Sequence, residues 1–499
     1  MTNIVPTTEQ HEVIRRVQDV LRGTAPSLCI EALAGSAKTT TIKLALNEAS
    51  ANKIDLSSVL AVAFNKRIAE DLIKALPPAV TCKTLNSLGH SAWGKSIGRR
   101  LTLDQNKIWN IIQDSDPDKA AMVRTMITVA RNTGFVPKEL KHPSARNLVP
   151  QEVFINDCES AALDLANSES VEDCWESFIT AMHESIRQAH EGLIDFQDQI
   201  YMSACFGGVF QKFSTVIVDE AQDLSPINHE ILRKSIASNG RLIAVGDSRQ
   251  AIYAFRGAST QSIAVLRDTF DCQVLRLTTC FRCSKSVIRE AQRIVPEIKS
   301  PDWMEEGNVG HANNLPDIVP NLAILCRNNA PLVKLAFHLI KQHKAVQILG
   351  RDIGQGLIRQ VKKFAPERYA TTQEFLEVLH KWFSAQPQHK KVKLVDKINC
   401  LEVICSTITN TKDIVPTIEE LFADKSNATV LSTGHKCKGL EWDNVWIIHP
   451  ELIPSVYATE PEAVTQEYNL KYVMITRAKK NLTIITRTYN SVKETGWEK

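Results

Sequence analysis

Short, nearly continuous apolar runs, each closing on polar or glycine-containing residues, recur along this chain: SLCIEAL near residue 30, SVLAVAF near 60, TVIVDEA near 218 and RLIAVGD near 243. A strand covered on both faces has no solvent side on which to alternate, so such runs predict buried parallel strands. A second set reads QVLRL near 275, LAILCR near 324, AVQILG near 347, ATVLST near 430, NVWII near 446 and NLTIITR near 484. Two α/β lobes are expected. Stretches such as LDQNKIWNIIQD carry helical spacing instead. The expected organisation is a first lobe built from residues 1–94 and 191–275 around a helical insert at 95–190. A second lobe is built from 276–351 and 426–499 around a short, mainly helical insert at 352–425, which carries the basic run His389, Lys390, Lys391 and Lys393.

Composition narrows the class without naming a chemistry. A chain of 499 residues is too long for one ordinary core. Its 43% hydrophobic and 23% charged residues give the balance of a globular protein rather than a disordered one. A net charge of +3 is too small to announce a polyanionic partner, so any nucleic-acid surface must be a local basic lining. The leading MTNIVPTTEQ has no signal-peptide pattern, and no apolar run reaches the roughly 18 residues that span a bilayer. The expectation is an intracellular protein without a membrane partner, cytoplasmic or, in a prokaryotic or viral setting, at the nucleoid. Twelve scattered cysteines read as reduced, buried thiols. Cys280 and Cys283 alone have zinc-ligand spacing, and no second pair sits nearby.

The strongest chemical signal begins where the strand SLCIE opens into ALAGSAKTTT and then into an apolar helix. A strand, loop and helix in that order suit a phosphate-binding loop, here Ala32, Leu33, Ala34, Gly35, Ser36, Ala37, Lys38, Thr39 and Thr40. Backbone N–H groups would surround phosphate oxygens at the positive helix end, and Lys38 would neutralise the β and γ phosphates. Ala32 and Ala37 stand where the general G-x-x-x-x-G-K-S/T pattern has glycine, and a left-handed Ala37 would cost about 1–2 kcal/mol. Downstream, TVIVDEAQD delivers two adjacent carboxylates at a strand tip. Asp219 would hold Mg²⁺ together with Thr39, and Glu220 would orient and deprotonate the attacking water.

DEAQD at 219, GDSRQAIYAFRGA at 246, TGHKCKGLEW at 433 and YVMITRAKK at 472 follow the order found in UvrD-like superfamily 1 helicases. The chain resembles that family from PTTEQ at residue 6 to TRAKK at 480. Its AFNK and KGLEW variants are most similar to the F-box helicase branch. The resemblance implies an α/β fold of two RecA-like P-loop lobes, each interrupted by a mainly helical insert, using ATP and Mg²⁺. It also implies that Gln10 reads adenine and that Phe281 replaces the tyrosine stacked on the base. By the same likeness Gln250 senses the γ phosphate, and Glu441 reaches the ribose or a phosphate-linked network. Arg282 and Arg477 correspond to two arginines offered across the cleft by the second lobe, a contribution worth about 10³ to 10⁵ in rate.

Aromatics beside polar donors at strand ends outline a nucleic-acid track. Tyr253 and Phe255 are expected to stack on bases, which tolerates any base identity. Phe64, Asn65, Thr84, Ser87, Arg256 and His435 are expected to contact bases or phosphates. Asn86 stands where many relatives have histidine. The function these residues imply is an ATP-dependent helicase or translocase on single-stranded DNA, moving 3′ to 5′, in repair, recombination or replication. Its partners would be single-stranded and tailed or forked duplex DNA, with repair or recombination proteins. Two other classes remain open at this level: a P-loop ATPase acting as a nucleotide-controlled binding switch, and an RNA-directed motor.

Overall fold

The computed structural model describes residues 6–63, 66–113, 116–162, 169–252, 261–364, 366–386, 388–425 and 428–486. The chain divides into two compact units, Met1–Thr278 and Thr279–Lys499. The first contains β1 (Leu28–Ala32), β2 (Val59–Ala63), β3 (Thr81–Thr84), the two-residue β4 (Thr102–Leu103) and β5 (Leu193–Ile194), β6 (Phe213–Val218), β7 (Ile236–Gly246) and β8 (Gln273–Leu277). Six of these form one parallel sheet in the order β3-β2-β6-β7-β1-β8. The second unit contains β9 (Asn308–Ala312), β10 (Leu322–Cys326), β11 (Val346–Ile348), β12 (Thr429–Thr433), β13 (Trp442–Ile448) and β14 (Ala478–Ile485). They too form a parallel sheet, ordered β11-β12-β10-β13-β14-β9. These are two RecA-like α/β lobes.

The central strands are the apolar runs of the sequence: β2 and β10 are buried at every position. The departures lie at edges. β3 reads TCKT and β9 reads NVGHA, and both are half-buried or exposed edge strands with weak apolar patterns. QVLRL, grouped by pattern with the second set, is β8; it pairs with β1 and belongs to the first sheet. Apolarity identifies a strand, but which sheet accepts it depends on pairing across the chain. The stretch 95–190, read as a helical insert lacking clear strands, contains the two-residue β4, paired with β5 just beyond it.

Among the described residues, both helical regions share a core with the neighbouring sheet. Trp93, Met126, Phe154 and Phe178 pack in one buried cluster with Leu60 and Val62 of β2 and Val216 of β6. Leu357, Val361, Phe375, Leu401 and Ile404 likewise share a cluster with Ile324, Leu431 and Trp446 of the second sheet. A polar contact reinforces the latter. The Asp396 carboxylate, on the helix Gln388–Cys405, accepts from the backbone N–H groups of Asn329 and Ala330 at the start of the helix Asn329–Lys341. The side chains of His389, Lys390 and Lys393 lie outside the described residues. Among those described, no helix is long and apolar enough to cross a membrane.

Candidate active site

Strand register decides what meets at the carboxyl edge of the first sheet. Val218 of β6 lies beside Ala244 of β7, and Glu31 of β1 beside Gly246. Residues immediately after β1, β6 and β7 therefore emerge at one edge, where parallel α/β sheets hold ligands. After β1, the turn 33–37 leads into the helix Lys38–Ala51, with Gly35 at φ 67 and Ala37 at φ 58. Glycine takes that left-handed backbone freely, whereas Ala37 carries a cost of about 1–2 kcal/mol. No side chain caps this helix. Its first-turn N–H groups consequently have no partner within the helix and sit at the positive dipole end. Ser36 Oγ is buried and has no hydrogen-bond partner among the described residues. An orphaned hydroxyl beside an uncapped turn suits the oxygens of a bound phosphate chain.

Carboxylates from the neighbouring strands close on this loop. Lys38 Nζ donates to Glu220 Oε2 at 2.6 Å, and Thr39 Oγ1 to Asp219 Oδ2 at 2.5 Å. Burial drags the Lys38 ammonium down, but Glu220 and then Asp219 outweigh it and hold the group above its ordinary value. Burial lifts the Asp219 carboxyl, and Lys38 only partly opposes the shift. Asp247, one residue past β7, is pushed up to about 6, again by burial first. Among the described residues, one ammonium thus faces three carboxylates. That surplus, with the Thr39 and Asp219 oxygens side by side, fits a divalent cation.

Gln250 lies in this cluster, its Nε2 donating to Asp247 Oδ2 at 2.7 Å. Gln10 is buried nearby on the helix Thr8–Leu21. Its Nε2 donates to Thr41 Oγ1 at 3.0 Å, and its Oε1 accepts from Thr7 N at 3.0 Å. Thr7 and Gln10 form a reciprocal capping box, a second task that the T-x-x-Q spacing signals.

The other residues expected at the nucleotide belong to the second unit. Phe281 is half-buried, its ring 6.5 Å from that of the exposed Trp303 with planes 22° apart. Arg282 Nε pairs with Glu441 Oε2 at 2.7 Å. Arg477 is 1% exposed and donates to the carbonyls of Val473 and Leu440 and to Thr476 Oγ1. No carboxylate among the described residues pairs with it, and burial, then the Arg282 guanidinium, depress its pKa. A buried cation held only by neutral acceptors is a strong anion-binding group.

Of the expected nucleic-acid contacts, Phe64, Asn65, Tyr253, Phe255 and Arg256 lie outside the described residues. Thr84 caps the helix Leu85–Ile97, its Oγ1 accepting from the N–H of the exposed Ser87 at 3.2 Å. His435 is half-buried in the turn after β12. Sequence reasoning overlooked three residues of the first site. Asp247 repeats, in RLIAVGD, the strand-end acid of TVIVDE. Gln222 donates to Glu220 Oε2 at 2.6 Å and accepts from Asp247 N at 3.1 Å, joining the two acidic turns. Glu9 accepts from the N–H and hydroxyl of Thr278 at 2.7 and 2.6 Å. The described cysteines, Cys280 and Cys283 included, are free thiols.

A parallel sheet whose carboxyl edge offers both an anion cradle and surplus carboxylate marks the P-loop class of nucleotide-using proteins. Residues 15–271 match the UvrD/REP helicase N-terminal domain, and residues 355–489 the UvrD-like helicase C-terminal domain. The chain belongs to the UvrD/REP helicase family. It is 24% identical over 519 residues to the F-box DNA helicase protein 1 of Schizosaccharomyces pombe, a match covering 93% of this chain and 56% of that protein. It is also 24% identical over 271 residues to a probable DNA helicase II homolog of Mycoplasma genitalium, covering 49% of this chain and 37% of that one. Among solved structures, the arterivirus nonstructural protein 10 helicase aligns over 94% of this chain and 62% of its own at 12% identity, with a TM-score of 0.33. The chain therefore spans just over half the length of the first of these relatives.

Proposed function

We propose that this protein is an ATP-driven motor on single-stranded DNA, a helicase or translocase moving 3′ to 5′. The observation that carries the reading is the joining of Lys38 to Glu220 and of Thr39 to Asp219 at the uncapped helix, in a chain of the UvrD/REP family. In the proposed reaction, water attacks the γ phosphorus as the bond to the β–γ bridging oxygen breaks. ADP leaves, and the water proton passes to Glu220. Lys38 must release Glu220 to reach the phosphates, which frees the carboxylate to serve as the base. Mg²⁺ held by Thr39 and Asp219 would supply charge neutralisation on the phosphates. Arg282 and Arg477 supply guanidinium charge for the transferred phosphoryl group.

Polarity, forked substrates, repair or recombination partners and an intracellular setting are part of the same proposal. Directed motion requires that nucleotide state change the grip on the strand. The test is ATP turnover with no polymer, single-stranded DNA, duplex DNA or RNA, followed by strand displacement on 3′- and 5′-tailed duplexes. DNA-stimulated turnover that disappears in Lys38→Ala and Glu220→Gln supports the motor. Tight DNA binding without turnover supports the binding switch, and stimulation by RNA alone supports the RNA motor.

A further inference from the structure

Glu220 sits at φ 55, a left-handed backbone that a residue with a side chain adopts only under constraint. Lys38 and Gln222 hold its carboxylate, and its own N–H donates to Asp219 Oδ1 at 2.9 Å. The next peptide is held from elsewhere. Ser262 Oγ lies 2.7 Å from the Ala221 carbonyl oxygen and 2.8 Å from His229 Nε2. A carbonyl brings no proton, so the single hydroxyl proton of Ser262 must point at Ala221. The Ser262 oxygen then accepts, and His229 Nε2 must carry the donated proton. The chain runs from His229 through Ser262 to Ala221. Burial holds the His229 imidazolium down to about 4, which leaves the ring neutral with one proton at ordinary pH.

Ser262 is fully buried at the first position of the helix Ser262–Thr269. That helix follows the sequence segment bearing Tyr253, Phe255 and Arg256. Before the same segment, Gln250 is bonded to Asp247, and Asp247 N to Gln222. Described residues on both sides of the expected DNA-contacting segment are therefore tied to the turn 220–222.

We infer that Ser262 and His229 are positioning residues for ATP cleavage, holding the Ala221 carbonyl so that the turn beneath Glu220 responds to the segment between Gln250 and Ser262. The inference rests on the motor reading. It is tested with the full chain by comparing steady-state ATP turnover with and without oligo-dT. Ser262→Ala and His229→Ala should each lower the ratio of stimulated to basal kcat about tenfold, the scale on which small misplacements act. The KM for ATP should stay within about twofold, because the contacts of Lys38 and Thr39 are untouched. His229→Gln, which keeps a donor, should retain the ratio, and the double alanine variant should lose no more than Ser262→Ala alone. Wild-type ratios in both alanine variants, additive losses in the double variant, or His229→Gln performing no better than His229→Ala would overturn the relay. If Ser262→Ala does not fold, as read by thermal melting, the two variants at the half-buried His229 decide. A wild-type enzyme unaffected by oligo-dT refutes the motor reading, and the relay is then judged on kcat alone.

Discussion

In the helical part of the first unit, Lys107 and Arg131 are buried against Asp195 and Asp198. Lys107 Nζ donates to Asp198 Oδ2 at 2.6 Å and to the Ser185 carbonyl at 2.8 Å, while Arg131 reaches both carboxylates. Two cations meet two anions and the charges cancel. At the sheet edge, by contrast, Lys38 is the one ammonium that, among the described residues, faces Asp219, Glu220 and Asp247. Both clusters are costly to desolvate, but among the described residues only the first balances its charges. Buried charge by itself thus says little about function, whereas uncancelled buried charge marks the place where something must bind. The second unit repeats the lesson with the opposite sign at Arg477.

The largest effects should come from removing charge that acts on the phosphoryl group. Arg477→Ala should lower DNA-stimulated kcat about 10³- to 10⁵-fold, and Glu220→Gln about 10²- to 10⁴-fold, both read by steady-state phosphate release. A variant that keeps wild-type turnover would remove that residue from the chemistry.

Stability should then separate the two clusters. Asp198→Asn breaks a cancelled set and should cost about 3–5 kcal/mol in urea unfolding of the unliganded protein. Asp247→Asn removes a surplus carboxylate and should instead stabilise by about 1–3 kcal/mol at pH 8, given a pKa raised from 3.8 to about 6. Equal destabilisation by the two substitutions would erase the contrast.

The sign of the pH effect follows from the same shift. A carboxyl whose folded pKa exceeds its unfolded value binds its proton more tightly in the native state, so its penalty vanishes as pH falls from about 7 to about 4. The wild type should therefore gain stability relative to Asp247→Asn over that window, measured as the difference between their unfolding midpoints. The smallest effect concerns the loop itself. Ala37→Gly should relieve about 1 kcal/mol of left-handed strain and tighten ATP binding severalfold by titration calorimetry. Unchanged affinity would mean that the loop is fitted to alanine.

What could be read from the chain beforehand was contiguous chemistry. ALAGSAKTTT and TVIVDEAQD each hold their parts within one turn, so residue type and order suffice. Central strands were equally plain, because burial on both faces leaves an apolar run. Edge strands β3 and β9 escaped, since a partly solvated strand needs no such run, and β8 was placed with the wrong sheet because pairing partners are distant in sequence. The supporting bonds were hidden for the same reason. His229 and Ser262 are 33 positions apart, and Glu9 and Thr278 are 269 apart. Only folding makes them neighbours.

The Asp396 carboxylate at the head of the helix Asn329–Lys341 gives a practical warning to anyone shortening this protein. Excising residues 352–425 as an appendage would leave two backbone donors without their acceptor. It would also strip Leu357, Phe375 and Leu401 from the cluster that covers Ile324 and Trp446. A minimal second lobe cannot be reached by deletion alone; the face laid bare would first have to be redesigned as surface.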